Sequence, residues 1–127
     1  MAVKFLSEGW VRAVRGGLSA SDGFKEATAS QRSRIQQIVM TEEGDDIRYW
    51  IVLDEGAVDM GLGSTNDADV TITSDYETAV ALAKGELSAT NAYFGGRVRI
   101  TNVMSAMSLL GALSKYGEVV RSIETEY

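Results

Sequence analysis

The sequence predicts an α+β domain: one β-sheet covered on one face by helices. Three observations predict it. Apolar residues recur at helical spacing near both ends of the chain. They alternate with a period of two through the middle. Turn residues, not long linkers, separate the segments. With 127 residues the chain suffices for a single core, and no linker, internal repeat or low-complexity segment divides it, so residues 1–127 read as one domain.

The elements follow in order. Leu6, Trp10, Val14 (with Ala13) and Leu18 form one stripe, predicting an amphipathic helix over residues 4–18. Gly16-Gly17 loosens its end. Ser21 is placed to cap a short second helix carrying Phe24 and Ala27. Neither helix would be stable alone, so each needs a surface to cover. Arg34–Thr41 and Ile47–Leu53 supply it as strands, the second rich in β-branched and aromatic residues. Asp54-Glu55-Gly56 turns the chain into a strand over 57–62, and a strand over 69–73 follows a Gly/Ser/Thr/Asn loop. Short strands joined by turns predict an antiparallel meander.

The period then changes. Ser74-Asp75-Tyr76-Glu77 has the form of a capping box for a helix over 75–84, which Gly85 stops. Ser88 caps a short turn through Tyr93, and Gly95-Gly96 leads into a strand over 97–101. Asn102 is the expected cap of a helix over 103–115, with Val103, Met107 and Leu110 on one stripe; a last helical segment is expected over 118–127.

Composition narrows the chemistry. The chain is 45% hydrophobic and 24% charged, as globular proteins are. It has no Cys and no His, which excludes disulfides, thiolate nucleophiles, histidine bases and histidine metal sites within the chain. The net charge of −6 disfavours nucleic acid and long-range attraction to anionic lipid, while leaving room for a local basic patch. No run approaches the roughly 18 apolar residues of a membrane span, so no stable membrane insertion is expected. The N-terminus turns polar too soon for a secretory signal, which makes a cytoplasmic protein the expectation. The acidic pairs (Glu42-Glu43, Asp45-Asp46, Asp67/Asp69) lack a calcium-loop pattern, and Gly61–Thr65 lacks the Lys of a phosphate loop, so no metal or cofactor is expected.

Three runs carry a resemblance: Asp67–Glu77, Ala81–Ser88 and Asn91–Thr101. Within them Ala68-Asp69-Val70-Thr71-Ile72-Thr73 fits A-D-x-T-I-T, Leu82 to Leu87 fits L-x-x-G-x-L, and Ala92-Tyr93 with Gly96 to Ile100 fits A-F-x-x-G-K-L-x-I. In order and spacing this resembles the sterol carrier protein type two family, and the flanking elements extend the resemblance over residues 4–117. The Pro-Gln that usually precedes A-F is Ala89-Thr90 here, and the peroxisomal tail of many eukaryotic members is missing.

The resemblance implies a five-stranded, mostly antiparallel sheet with an apolar tunnel between sheet and helices. It implies a non-catalytic carrier whose partner is a fatty acid, fatty acyl-CoA, sterol or isoprenoid-like lipid. The implied lining comprises Trp10 and Phe24 on the first helices, and Met60, Val70, Ile72, Val98 and Ile100 on the strands. Leu82, Leu87, Tyr93 and Phe94 add to it around the middle helices, and Met104, Met107 and Leu110 on the penultimate helix. Periodicity alone lets Met104 and Met107 be either core or an adaptable lipid-facing wall. Two rival readings stand beside this one. One is an accessory or oligomerisation domain with a closed cavity. The other is a histidine-free enzyme using a carboxylate raised in pKa by an apolar pocket. Trp50, expected on the outer sheet face with Val52, is a candidate contact for a homo-oligomer.

Overall fold

A computed structural model describes residues 2–127. The chain opens with β1 (Val3–Lys4), α1 (Glu8–Ala20) and α2 (Asp22–Ala27). Strands β2 (Arg32–Met40), β3 (Asp46–Asp54), β4 (Ala57–Leu62) and β5 (Val70–Asp75) come next. Then follow α3 (Tyr76–Lys84), α4 (Ala89–Phe94), β6 (Val98–Thr101), α5 (Val103–Met107), α6 (Leu110–Ser122) and β7 (Thr125–Glu126).

The main sheet has five strands in the order β4-β3-β2-β5-β6, and β1 pairs with β7 in a separate parallel ribbon. Three of its four pairings are antiparallel, while β2 and β5 run parallel, so the sheet is mixed. The meander holds for β2, β3 and β4 and ends there. The loop after β4 crosses over and delivers β5 to the far side of β2. Asp69 anchors that crossing: its carboxylate accepts from Arg34 N at 2.8 Å and its own N–H donates to Arg34 O at 2.8 Å. Gly63, at φ 103, supplies the left-handed turn that begins it. Gln36 is buried on the outer face, donates to Tyr49 O and Gly63 O, and accepts from Thr65 N at 2.7 Å. One amide side chain thus ties the loop to the sheet.

Strand parity decides the core. Tyr49, Ile51 and Leu53 are buried beneath the helices, and Trp50 and Val52 lie half-buried on the outer face, as the pattern requires. Trp50 faces Gly61 across β3 and β4, and its indole lies where a side chain at Gly61 would be, so the ring rests on the sheet.

Several boundaries differ from the sequence expectation. Helix α1 begins at Glu8, because residues 3–4 pair with residues 125–126 and Leu6 turns the chain at φ 63; Ser7 caps the helix by accepting from Trp10 N at 3.2 Å. Helix α3 is capped by Asp75, not Ser74: the Asp75 carboxylate accepts from Thr78 N at 2.7 Å, and β5 runs two residues further than expected. Asn102 does not cap α5 with its side chain; it adopts φ 59 and donates to Asp69 O. The helix expected over 103–115 breaks at Ser108-Leu109, where Gln31 donates to Ser108 O and Ser108 Oγ donates to Ser105 O. The chain resumes as α6, which takes in residues 118–122 of the expected last helical segment, ends at Ser122 and is followed by β7.

Candidate functional site

The layer between sheet and helices is filled unevenly. Under α1 and α2 it is solid. Trp10 is 1% exposed and stands edge-on to Phe5 and Tyr49, with ring centroids 5.2 Å and 5.5 Å apart. Val14, Leu18, Phe24, Met60 and Val70 are likewise buried. The expected lining residues Trp10, Phe24, Met60 and Val70 are all buried in the main hydrophobic cluster.

The other half is different. Here α3 meets β5, α4 meets β6, α5 meets β5, and α3 meets α6. Ile72 and Ile100 face each other across β5 and β6, half-buried, and form a floor. Ala79 and Val80 on α3 and Leu113 and Tyr116 on α6 are half-buried as well. Leu82, Leu87 and Tyr93 share that intermediate exposure, and Val98 is buried. At the rim, apolar side chains stand in the open: Phe94 and Met104 are each 80% exposed, Met107 59% and Leu110 51%.

The helix break explains this rim. A continuous helix would have buried the stripe Val103, Met107, Leu110. With the break, Ala106, Leu109, Ala112 and Val120 turn inward instead, and Met107 and Leu110 turn out. The sequence contains both stripes, and nothing local chooses between them.

The floor meets a polar seam at its inner side. The hydroxyls of Tyr49 on β3 and Tyr116 on α6 lie 3.2 Å apart and share a hydrogen bond. Burial pushes the Tyr49 phenol up to about 12, the bond to Tyr116 acting weakly the other way. Burial, then the neighbouring Tyr49, holds Tyr116 well above the usual range. The Trp10 indole N–H and the Thr78 hydroxyl are buried without a hydrogen-bond partner among the described residues. None of the fully buried side chains described is charged. The layer can therefore receive apolar groups and small neutral polar ones, but it offers no buried cation for a carboxylate.

Two surface depressions of about 380 and 410 Å³ lie elsewhere. One runs along Arg32–Arg34, Val52–Asp54 and Asp69, the other past Trp50, Asp59 and Ser64–Asn66. Both are rimmed by polar groups, and neither coincides with the tunnel that the resemblance implies. Asp59 points out to solvent, 3.6 Å from Arg15. Among the described residues no helix is long and apolar enough to cross a membrane.

A five-stranded mixed sheet of this order, carrying helices on one face, defines a sterol-carrier-type domain. Residues 18–114 match the model of the SCP-2 sterol transfer family, and the chain belongs to that family. No curated protein sequence matches it. Among solved structures it is similar to a crystal structure of sterol carrier protein 2, with TM-score 0.83 and 18% identity over 94% of this chain and 99% of that one. It is also similar to a conserved protein of Thermus thermophilus (TM-score 0.81, 17% identity, 98% of this chain and 93% of that one). A third likeness is to palmitated SCP2L2 of Aedes aegypti (TM-score 0.63, 19% identity, 99% of this chain and 100% of that one). At these identities the likenesses establish the fold.

Of the fourteen expected lining residues, Ile72, Ile100 and Val98 lie on the paired strands β5 and β6, and Leu82, Leu87 and Tyr93 are half-buried on or beside α3 and α4. Phe94, Met104, Met107 and Leu110 are exposed. Sequence reasoning missed Leu113 and Tyr116 as parts of this layer. The apolar spacing of Leu113, Tyr116 and Val120 was the available signal, and the expected boundary at residue 115 obscured it.

Proposed function

We propose that this chain binds a hydrophobic ligand in the layer between β5–β6 and α3–α6, and carries it without chemically changing it. The ligand class is a fatty acyl chain, sterol or isoprenoid-like lipid. One observation carries the reading: in a chain of the SCP-2 sterol transfer family, the exposed apolar residues Phe94, Met104, Met107 and Leu110 all fall on α4, α5 and the start of α6, with Ile72 and Ile100 half-buried on β5 and β6. Sequestering an acyl chain there would contribute about 0.8 kcal/mol per methylene removed from water. Helix α5 is five residues long and leans on β5. Together with the start of α6, it is the element that can swing aside to admit a ligand. The palmitated Aedes aegypti relative, of the same fold, supports an acyl ligand. The polar groups bordering the layer are tyrosine hydroxyls, suited to holding a ligand's oxygen, and this favours carriage over acid–base chemistry.

The test is native mass spectrometry of protein purified without detergent, followed by titration with a fluorescent fatty acid and a fluorescent sterol. A saturable one-to-one complex is expected. Ile100→Trp, which fills the floor, should weaken it about tenfold or more while leaving the circular dichroism unchanged. A protein that stays free of both ligands at saturating concentration would refute the carrier reading.

A further inference from the structure

One polar side chain interrupts the helix-facing side of the sheet at its centre. The registers of the four strand pairings align a single row across all five strands: Leu62, Tyr49, Gln37, Ile72 and Ile100. Directly opposed residues share a face, so Gln37 points toward the helices as Tyr49 does. Ile35 and Val39, two residues to either side on the same face, are each 2% exposed. The preceding row, Met60, Ile51, Ile35 and Val70, is wholly apolar and buried. Position 37 breaks that pattern with an amide on the central strand, β2.

Its neighbour in sequence shows what a satisfied amide looks like here. The Gln36 side chain, on the outer face, bonds to Tyr49 O, Gly63 O and Thr65 N. The Gln37 side chain is half-buried and makes no hydrogen bond among the described residues; only its backbone is used. Over the same row, Tyr116 of α6 brings its hydroxyl to 3.2 Å from that of Tyr49. Each hydroxyl can donate once and accept twice, so the single bond between them leaves capacity on both. Neighbouring strands lie about 4.8 Å apart, so Gln37 stands one strand from Tyr49 on one side and one strand from Ile72 on the other.

This arrangement discriminates between ligands. A plain hydrocarbon laid along the row would cover the amide and leave it without a partner, which costs free energy. An ionised carboxylate drawn into the row would be buried with no cation beside it, which costs more. A fatty acid that keeps its carboxylate at the rim still lays methylenes over the amide. An uncharged hydroxyl or carbonyl avoids all three penalties, because the amide can donate to it and can accept from a hydroxyl.

We propose that Gln37, supported by the Tyr49–Tyr116 hydroxyl pair, determines specificity in the layer, and selects lipids carrying an uncharged hydroxyl or carbonyl over ionised fatty acids and plain hydrocarbons. The inference rests on the carriage reading and narrows its ligand class.

Titration at neutral pH with a pyrene-labelled fatty alcohol and the pyrene-labelled fatty acid of the same chain length tests it. The wild type should bind the alcohol about fivefold or more tighter than the acid. Gln37→Leu should weaken the alcohol and strengthen the acid, so that the preference falls or reverses. A merely structural role would change both affinities alike. Tyr116→Phe removes one oxygen and keeps the ring; it should weaken the alcohol alone, and it carries the test should Gln37→Leu not fold. An alcohol-to-acid ratio unchanged in the folded variants would overturn the inference and leave carriage standing, as would tighter binding of the acid by the wild type. A wild type that binds neither probe would refute carriage, and this inference with it.

Discussion

The half of the layer beneath α1 and α2 and the half beneath α3 to α6 are built from similar residues on one continuous sheet, yet they end in different states. In the first, aromatic and branched side chains from two helices and three strands close on each other, and Trp10, Leu18 and Phe24 are almost wholly removed from solvent. In the second, Val98, Leu109, Ala112 and Val120 are buried too, but Ile72, Val80, Ile100 and Leu113 stop at half burial and Phe94, Met104, Met107 and Leu110 are exposed. What separates them is the rim. Beneath α1 and α2, Trp10 and Phe24 close against the sheet, whereas along α4, α5 and the start of α6 the apolar side chains of Phe94, Met104, Met107 and Leu110 stay exposed.

Two substitutions break or sharpen that contrast. Trp10→Ala should have the largest effect, about 3–5 kcal/mol lost in chemical denaturation, because it empties a rigid site. Met104→Ala, on the open side, should stay within about 0.5 kcal/mol. Equal losses at the two positions would erase the distinction between the halves.

The next effect lies on the border and depends on pH. An unfolded tyrosine releases its proton near 10.0, while folded Tyr49 holds its own to about 12. The folded state therefore binds more protons in that window. The associated stability is fully present below pH 10.0 and is lost as pH rises toward about 12. Denaturation at a series of alkaline pH values should show this fall, and Tyr49→Phe should flatten it. A slope unchanged in the variant would place the alkaline sensitivity elsewhere.

A smaller effect than that of Trp10 tests the start of α3. Asp75→Ala removes the cap of α3 and should cost about 1 kcal/mol. Ser74→Ala, one residue earlier, removes no cap and should cost less. The reverse order would restore the capping box that the sequence predicts.

Much of the fold was legible in the chain because local rules govern it. Alternation in Ile47–Leu53 fixed which residues face the helices, and Tyr49, Ile51 and Leu53 are indeed buried. Ser21 and Ser88 cap α2 and α4 where expected, accepting from Phe24 N and Asn91 N at 3.1 Å each. The candidate site was legible only in part. Its strand floor followed from the period of two at Ile72 and Ile100. Its helical walls did not, because residues 103–123 offer overlapping apolar stripes whose choice depends on Gln31, which lies 77 residues from the Ser108 carbonyl it holds.

By itself the sequence determined the type of each main element, the inward faces of the strands, the exclusion of thiol and imidazole chemistry, and the family resemblance. These are set by side-chain periodicity and composition, which need no knowledge of distant neighbours. Only the tertiary structure decided that β5 crosses to pair in parallel with β2, that the chain ends clasp each other as β1 and β7, and that the penultimate helix breaks to leave Met104, Met107 and Leu110 in the open. Each of those outcomes turns on contacts between segments far apart in the chain, where packing and hydrogen bonding override local preference.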